Sequence, residues 1–422
     1  MTFQNLPLHP HILKALEKSG YESPTEIQAK AVPKAAKGFD IRACAQTGTG
    51  KTAAFLLPTL SRLSVPSKAQ GKGPRALILV PTRELALQVA SQAQKYSRFM
   101  KGIHTVCLVG GVPYPVQKRK LKHPCDILIA TPGRLIDLMD QGLVNFSRLE
   151  VAILDEADRM LDMGFAEPVR RILESTPSSR QTLLFSATLD KAILDLSAKF
   201  MNKPMEIVTK AEKKSLDTIT QNLYYSNDLG HKNRLLERIL TDDTLGHTII
   251  FTATKRHADQ LTRELRSEGY QCAALHGDMT QGRRTRTIKQ LRSGEVDILV
   301  ATDVAARGID VSTITHVINF DLPQNVEDYV HRIGRTGRAG RTGIAISFVG
   351  RGESFFLKKI EKYTGQEIAI MEFEGLEPQK REPGKERSEN AGPKKPFKKR
   401  FGERSNKPFK KSGKRFENKP GS

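Results

Sequence analysis

Residues 45–52 read AQTGTGKT, and their types and spacing resemble a loop that binds phosphate. The general pattern of such a loop is G-x-x-x-x-G-K-[ST]. Gly48 and Gly50 allow the backbone to turn, so that its N–H groups point at phosphate oxygens. The Lys51 ammonium can reach the outer phosphates, and the Thr52 hydroxyl can ligate Mg²⁺. The stretch therefore predicts a nucleotide-binding loop.

Ala45 stands where the general pattern has its first glycine. Alanine is compatible with the loop if its φ is negative, because only a left-handed backbone position strictly requires glycine. The helical pattern TAAFLLPTL follows the loop, so the phosphates would face the N-terminus of a helix. The residues that we expect to surround the nucleotide phosphates are Ala45, Gln46, Thr47, Gly48, Thr49, Gly50, Lys51 and Thr52.

Two carboxylates follow a second apolar run, VAILDEAD. Asp155, at the tip of the predicted strand, can hold Mg²⁺ through water, and Glu156 can orient and deprotonate an attacking water. These are the remaining parts that a nucleotide hydrolase of this kind needs. A surface acidic turn is the alternative, and the four apolar residues directly before Asp155 argue against it.

A third group of polar residues lies in HRIGRTGRAGR. His331, Arg335 and Arg338 would share one face if this segment were helical, although its glycines suggest that it soon leaves the helix. Arginines near a terminal phosphate stabilise the charge of phosphoryl transfer. A plain basic loop is the alternative. If these arginines come from a second domain, hydrolysis requires the two domains to close together.

Short apolar runs alternate with helical patterns from about residue 40 to residue 350. Such runs are typical of strands buried on both faces of a parallel sheet, with helices as crossovers. Polar residues gather where the runs end, which is where ligands bind in such sheets. The predicted strands lie in 75–82, 104–111, 126–133, 150–158, 181–188, 247–254, 271–278, 297–303, 315–321 and 342–349.

The chain is long enough for two or three domains, and its halves echo each other. TLLFSAT resembles TIIFTAT, and DILIATPGR resembles DILVATDVAARG. We therefore expect an α/β fold with two tandem parallel-sheet domains, although two independent strand-and-turn patterns would also explain the echo. The predicted boundaries are a first domain at 1–208, a linker at 209–218, a second domain at 219–372 and a tail at 373–422.

The tail carries much of the positive charge of this chain. The last 45 residues have a net charge of +11, which is half of the +22 of the whole chain. Their apolar residues are almost all phenylalanines, so the tail cannot offset its ordering entropy and is predicted to be disordered. Cations and spaced rings suit RNA, because they release counterions and stack on unpaired bases. A solubilising charged tail is the alternative.

The remaining composition excludes several classes of protein. The N-terminus lacks the pattern of a signal peptide, and no apolar run approaches the roughly 18 residues of a membrane span. The four cysteines are scattered without a C-x-x-C pair, which indicates free thiols in a reducing compartment. We therefore expect a cytoplasmic protein with no membrane partner.

The motifs together resemble the DEAD-box RNA helicases, and the similarity covers about residues 3 to 370. The chain looks most like the bacterial RhlE type of that family, in which an alanine at the start of the phosphate loop is common. The motifs that carry the resemblance occur in the family order: GYESPTEIQ (20–28), AQTGTGKT (45–52), PTRELA (81–86), GG (110–111), TPGR (131–134), DEAD (155–158), SAT (186–188), IIFTAT (249–254), ATDVAARGID (301–310) and HRIGRTGR (331–338).

The resemblance implies two RecA-like domains that bind ATP with Mg²⁺. Gln28 would read the adenine edge, Phe3 would stack on the adenine ring and Asp303 would touch the ribose. The catalytic roles would fall to Lys51 and the residues of the acidic and basic motifs. Coupling between the hydrolysis site and the domain interface would be carried by Asp158, Ser186 and Thr188.

The resemblance also implies RNA, single-stranded or as a short duplex, as the partner. Small residues and hydroxyls suit contacts to the backbone and the 2′-OH, which carry no sequence information. Ribosomal precursors and the RNA-degradation machinery are the further partners it suggests, and we expect a monomer. The implied RNA contacts are Arg83, Gly111, Thr131, Gly133, Arg134, Thr252, Thr302 and Gly308.

Three other functions share some of these sequence features. A DNA translocase of the same superfamily would share both domains, and the GYESPTEIQ, TPGR and HRIGRTGR forms resemble the RNA helicases instead. A non-catalytic RNA clamp would not need Lys51, Glu156 and Arg338. A protein of the membrane surface would need an amphipathic helix or a lipidation signal, and the sequence has neither.

Overall fold

The computed structural model describes residues 1–45, 48–67, 71, 73–209, 218–242, 245–306, 311, 313–337 and 341–379. Within this part of the chain the structure contains two parallel sheets of seven strands each, with helices packed around them. The predicted α/β fold with two parallel-sheet domains is confirmed. None of the helices in the described ranges has the length and apolarity required to cross a membrane.

The first sheet has the strand order β3-β4-β2-β5-β6-β1-β7. Its strands are β1 (Ile41–Cys44), β2 (Ala76–Leu79), β3 (Thr105–Leu108), β4 (Ile127–Ala130), β5 (Val151–Leu154), β6 (Gln181–Ser186) and β7 (Met205–Val208). The helices between and before them are α1 (Pro10–Glu17), α2 (Glu26–Ala36), α3 (Lys51–Leu63), α4 (Arg83–Ser97), α5 (Tyr114–Leu121), α6 (Pro132–Asp140), α7 (Ala157–Asp162), α8 (Ala166–Glu174) and α9 (Lys191–Phe200).

The second sheet has the order β10-β11-β9-β12-β13-β8-β14. Each of its strands has the same place in the order as the corresponding strand of the first sheet. Its strands are β8 (Ile219–Tyr225), β9 (His247–Phe251), β10 (Cys272–Leu275), β11 (Ile298–Ala301), β12 (Ile314–Asn319), β13 (Gly343–Val349) and β14 (Ala369–Ile370). Its helices are α10 (Leu229–Leu240), α11 (Lys255–Ser267), α12 (Gln281–Ser293), α13 (Asp303–Ala306), α14 (Val326–Ile333) and α15 (Ser354–Thr364).

Both faces of the first sheet are covered. In β2, Ala76 and Ile78 belong to the core on one face, whereas Leu77 and Leu79 belong to the core on the other. All four side chains are fully buried, because helices pack on both sides of the parallel strands. This arrangement leaves the strand ends, and not the faces, as the places where polar side chains can meet a ligand.

All ten predicted strands are present, and the structure adds β1, β7, β8 and β14. In β1 the side chain of Arg42 interrupts the apolar run and pairs with Glu206 of β7. β7 and β14 are edge strands, and most of their residues are exposed. Their sequences are short or mix polar with apolar residues, so they look like loops. The pairing that stabilises them is with strands distant in the sequence.

The predicted start of the tail at residue 373 is wrong. The Phe373 ring stacks on Tyr224, with 5.0 Å between centroids and 17° between planes. Leu376 packs on the core of the second sheet, and its carbonyl lies 2.9 Å from His231 Nε2. These apolar contacts extend the folded part at least to Leu376. Residues 380–422 of the predicted tail and residues 210–217 of the predicted linker lie outside the described residues.

Asp40 ties three parts of the first domain together at the amino end of the sheet. It is 7% exposed, its Oδ1 accepts the Thr182 N–H at 2.8 Å, and its Oδ2 accepts the Asn202 N–H at 2.7 Å. These bonds connect the starts of β1 and β6 to the loop before β7. Each donor would be left without an acceptor if the carboxylate were removed.

Asp40→Ala should lower the free energy of unfolding of the first domain by about 2–5 kcal/mol, because two backbone donors lose their acceptor. Asp40→Asn retains one side-chain acceptor and should cost less. Urea unfolding of both variants and the wild type would measure the difference. Equal losses in the two variants would contradict the assignment of the cost to the unpaired donors.

Candidate functional site

The phosphate-loop residues lie between the end of β1 and the start of α3. Ala45 is buried, and its N–H donates to Ser186 O at 2.9 Å, beside the last pair of β1 and β6. Gly48 and Gly50, on either side of Thr49, have φ values of +91° and +92°. A residue with a side chain would be strained at both positions. Two of the predicted loop residues lie outside the described part of the chain: Gln46 and Thr47.

Lys51 is the first residue of α3 and carries a buried ammonium group. The residue is 7% exposed, and its Nζ has no hydrogen-bond partner among the described residues. A buried cation without a partner is costly, so the position favours an anion. The N-terminus of α3 adds backbone donors and the positive end of the helix dipole. The phosphates of a nucleotide fit this arrangement, and Thr52 lines the same space.

This space is a cavity of about 770 Å³ that both domains line. The phosphate loop, the acidic motif and α4 form the wall from the first domain. The wall from the second domain consists of α12 and the segment after α14. The lining residues include Tyr21, Gln28, Gly48, Gly50, Lys51, Thr52, Asp155, Glu156 and Arg335.

Asp155 and Glu156 follow the tip of β5 directly. Asp155 is 2% exposed, and burial raises the pKa of its carboxyl to about 7, while the Lys51 ammonium opposes the rise. Its Oδ1 accepts the Glu156 N–H at 3.1 Å. Glu156 has a φ of +52°, a left-handed conformation that is rare outside glycine and is found at functional sites. This turn places both acidic residues on the wall of the cavity.

The oxygen atoms of Asp155 and Thr52 are suitable ligands for a magnesium ion. The described residues contain no group of three or more His, Cys, Asp or Glu that could hold a metal. A magnesium ion in a nucleotide site needs fewer protein ligands, because waters and phosphate oxygens complete its octahedron. The Asp155 carboxylate and the Thr52 hydroxyl line one cavity and are hard oxygen ligands. A divalent cation would also relieve the cost of ionising Asp155.

Asp158 and Ser186 connect the acidic motif to the end of β6. The Asp158 N–H donates to Ser186 Oγ at 3.3 Å, and Asp158 Oδ2 accepts the Ala187 N–H at 3.0 Å. Both residues are buried, so the two strand ends cannot move independently without breaking these bonds. Thr188, the third residue of the predicted coupling group, follows in the next loop and is half-buried.

The second domain contributes Arg335 to the main cavity. Arg335 is 6% exposed, and its Nε donates to His331 O at 3.1 Å. The Nδ1 of His331 is buried without a hydrogen-bond partner among the described residues. His331 and Arg335 also line a second cavity of about 10 Å³, which is the volume of a single water. Arg338, the other predicted arginine, lies outside the described residues.

Asp303 lies at the small cavity and does not line the main one. Arg332 holds its carboxylate in a bidentate ion pair, with Nε–Oδ1 and Nη2–Oδ2 distances of 2.6 and 2.8 Å. Arg332 also donates to Asn319 Oδ1 and to Asp321 O, and it stacks on the Phe251 ring. The structure thus assigns Asp303 an arginine partner. Sequence reasoning missed Arg332, since nothing in the motif separates it from the neighbouring arginines.

Gln28 is buried at the wall of the cavity and connects α2 to the phosphate loop. Its Oε1 accepts the Thr25 N–H at 3.1 Å, which caps α2, and its Nε2 donates to Gly50 O at 3.1 Å. A Cβ at Gly50 would overlap with Nε2. A side-chain amide can form further hydrogen bonds beyond these two. Gln28 could therefore bind a base while it keeps its bonds to Thr25 and Gly50.

Phe3 packs within the first domain, and its stacking on adenine stays a prediction. Phe3 is buried in the core of the first domain and is not among the residues that line the cavity. Its ring lies edge-on against Tyr21, with 6.4 Å between centroids. Tyr21 lines the cavity instead and contacts Tyr96 at 6.0 Å. The signal that could have identified Tyr21 is its place in GYESPTEIQ, seven residues before Gln28.

Three of the predicted RNA contacts of the first domain meet at the tip of β3. The Arg83 guanidinium lies so close to Gly111 that a Cβ there would overlap with Nη1. Arg134 Nη1 donates to Val112 O at 2.8 Å, in the same loop. Thr131 caps α6. Gly133, within α6, faces open space.

The predicted RNA contacts of the second domain lie at adjacent strand tips. Thr252 follows β9 and Thr302 follows β11, and the Thr252 N–H donates to Ala301 O at 3.0 Å. The Thr252 side chain is fully buried, and its Oγ1 donates to Thr254 O. Only Thr302 keeps some exposed surface, at 8%. Gly308 lies outside the described residues.

Among the described residues, at least two ion pairs join the domains, and sequence reasoning missed both of these. Glu84 Oε1 accepts from Arg284 Nε at 2.9 Å, and each side chain is 8% exposed. Arg159 Nη1 donates to Asp328 Oδ1 at 2.7 Å. Gln281 lies 3.4 Å from Arg83 Nη1, so the first pair lies beside the predicted RNA contacts. Separations of 200 and 169 residues leave no local signal for such pairs.

Comparison with protein families gives two matches. The model described as DEAD/DEAH box helicase matches residues 25–196, and the model described as Helicase conserved C-terminal domain matches residues 231–340. Among curated proteins, ATP-dependent RNA helicase DeaD of Mycobacterium tuberculosis is 45% identical over 89% of this chain and 66% of its own length. ATP-dependent RNA helicase SrmB of Haemophilus influenzae is 41% identical over 90% and 87%.

Solved structures agree in fold. S. cerevisiae Dbp5 bound to RNA and ADP BeF3 has a TM-score of 0.79 and 34% identity, covering 88% of this chain and 95% of its own. Mss116p bound to ssRNA and AMP-PNP has a TM-score of 0.79 and 31% identity, covering 89% and 81%. The chain spans only 62–66% of the length of the DeaD proteins that it matches.

Asp155→Asn should stabilise the ligand-free protein more at about pH 8 than at about pH 5. The pKa of Asp155 in the folded protein, about 7, lies above its ordinary value of 3.8, so its ionisation costs folding free energy. That cost increases as the pH rises from about 4 to about 7, and an uncharged amide avoids it. Thermal unfolding at both pH values would measure the effect. Asp195→Asn, at an exposed position, is the control, and an equal gain at both pH values would refute the prediction.

Glu84→Gln and Arg284→Met should show a coupling of about 0.5–3 kcal/mol in a double-mutant cycle, since each alone leaves a buried charge without its partner. Urea unfolding of the four proteins would give the coupling. The exposed pair Glu167–Arg170 is the matched control and should give no measurable coupling. A value near zero for Glu84 and Arg284 would mean that this contact between the domains does not persist in solution.

Proposed function

The chain belongs to the DEAD/DEAH box helicase family, and from this membership we propose that it is an ATP-dependent RNA helicase. ATP and single-stranded RNA bind between the two domains, and the protein opens short duplexes or remodels RNA–protein complexes. The observation that carries the proposal is the shared cavity. Lys51, Asp155 and Glu156 of the first domain line it together with Arg335 of the second.

The side chains of this cavity divide the chemistry of ATP hydrolysis among them. Lys51 and the N-terminus of α3 bind the phosphates. Thr52 and Asp155 would hold Mg²⁺, which would supply positive charge to the phosphate oxygens. Glu156 orients the attacking water and takes its proton as the bond between the γ-phosphorus and ADP breaks. Arg335 stabilises the negative charge of the transition state.

Hydrolysis and RNA binding communicate through the domain interface. Because Arg335 comes from the second domain, the catalytic group is complete only while the domains are together. Arg83 lies on Gly111 and contacts Gln281, so the RNA contacts border the same interface. ATP and RNA each favour the closed arrangement through their differential affinity for it. Hydrolysis and loss of phosphate remove that preference, which releases the RNA.

The cellular setting is part of the proposal. The four cysteines are free thiols, which supports a reducing compartment such as the cytoplasm. We propose that the protein acts as a monomer on ribosomal precursors or with the RNA-degradation machinery, and no residue discriminates between these roles. The basic tail would tether RNA. Assignment to the RhlE type stays a prediction.

Single-stranded RNA should stimulate steady-state ATP turnover, and Glu156→Gln should reduce the stimulated rate by about 10²–10⁴-fold, the usual contribution of a general base. Glu167→Gln, an exposed position on α8, is the matched control and should behave like the wild type. Turnover would be measured with RNA, with the corresponding DNA and with neither. Equal stimulation by DNA would favour a DNA translocase, and no turnover under any condition would favour the RNA clamp.

A further inference from the structure

Helix α5 and the residues directly after it form a positive surface that the proposed ATP and RNA sites do not use. Residues 114–124 read YPVQKRKLKHP and contain no carboxylate. In the described part of the chain none of the four cations takes part in an ion pair, and three of them are exposed. The cations of this surface, called the α5 surface below, are Lys118, Arg119, Lys120 and Lys122.

The α5 surface is fixed relative to the loop after β3. Gln117, which is 1% exposed, accepts the Val109 N–H at 3.0 Å and donates to Val109 O and Val112 O at 3.2 and 2.9 Å. These bonds bracket Gly111. Arg134 lies over the Tyr114 ring at 4.0 Å and donates to Val112 O. The helix is thus held from both ends of the loop and cannot turn its cations away independently.

The position of α5 continues a line of backbone contacts. β3 is the edge strand of the first sheet, and α5 follows it after a short loop. Under the proposed function, Arg83, Gly111 and Arg134 contact the RNA backbone at this edge. The first cation, Lys118, lies four residues after Tyr114, which is about one helical turn of 5.4 Å beyond the loop. A strand that leaves the cleft on this side meets the α5 surface next.

Helix stability alone does not account for these charges. Cations in the last turn do complement the helix dipole. However, Lys118 and Lys122 are four residues apart, a spacing at which like charges repel on a helix. One cation would serve the dipole, whereas adjacent unpaired cations are suited to a polyanion.

We propose that the α5 surface binds the phosphate backbone of RNA that flanks the segment held between the domains. This inference rests on the proposed function and adds a second contact region outside the cleft. The surface contacts phosphates and carries no sequence preference. It extends the footprint of the protein on RNA from the cleft, past Gly111, along the outer side of the first domain.

The test compares a core RNA of about ten nucleotides with longer RNAs that carry about fifteen more, as single strand or as duplex, at either end. Full-length wild type and a variant with Lys118, Arg119, Lys120 and Lys122 changed to glutamine would be titrated over a range of salt. For a single-stranded flank the slope of log K against log salt should fall by roughly 3 in magnitude, at about 0.7 for each lost phosphate contact. Binding of the core RNA should not change.

A second variant, with Lys34, Lys37, Lys101 and Lys203 changed to glutamine, removes the same charge near the amino ends of the first sheet. Glutamine keeps a high helix propensity, and thermal unfolding would verify that both variants fold. Comparison of the RNAs extended by a single strand with those extended by a duplex shows which form of flanking RNA binds the α5 surface. Equal losses in the two variants, equal losses on core and extended RNA, or no loss at all would overturn the inference. Failure of the wild type to bind core RNA would instead count against the proposed function.

Discussion

The structure depends on two opposite charges that the first domain buries at one point without neutralising either of them fully. The Lys51 ammonium has no hydrogen-bond partner among the described residues, and the Asp155 carboxyl has a pKa of about 7. Both groups line the cavity, and the protein covers most of their remaining surface. The lowest-energy way to complete such a site is a polyanion that brings a divalent cation with it. Substrate selectivity thus begins with the cost of leaving this site empty.

The two domains share one topology but contribute different residues to the cavity. Both sheets have the same strand order, so both present loops at their carboxyl ends. The first uses these loops to bind, through the phosphate loop and the acidic turn. The second domain contributes Arg335 to the cavity. After β8 and β12, which correspond to β1 and β5, Lys232 and Asp321 form an internal ion pair. Because the cavity takes residues from both domains, a change in the distance between the domains would change which side chains line it.

The sequence was most informative where local physics decides the structure. Apolar runs identified ten strands, and the glycines and lysine of AQTGTGKT identified the phosphate loop. The sequence failed where the decisive partner is distant. β1 and β7 depend on pairing with each other, and the Glu84–Arg284 contact spans 200 residues. The sequence also missed Tyr21 on the cavity wall, although its place in GYESPTEIQ could have identified it, whereas Phe3 packs in the core.

The bond between Gln28 and Gly50 has a consequence for how this protein can vary. A side chain at position 50 would collide with the Gln28 amide and would have to adopt a left-handed backbone. A different residue at position 28 would remove one of the two donors to the Gly50 carbonyl and one of the bonds that cap α2. The effect of a change at either position therefore depends on the residue at the other. The two positions, 22 residues apart, are thus coupled in their effect on the cavity wall.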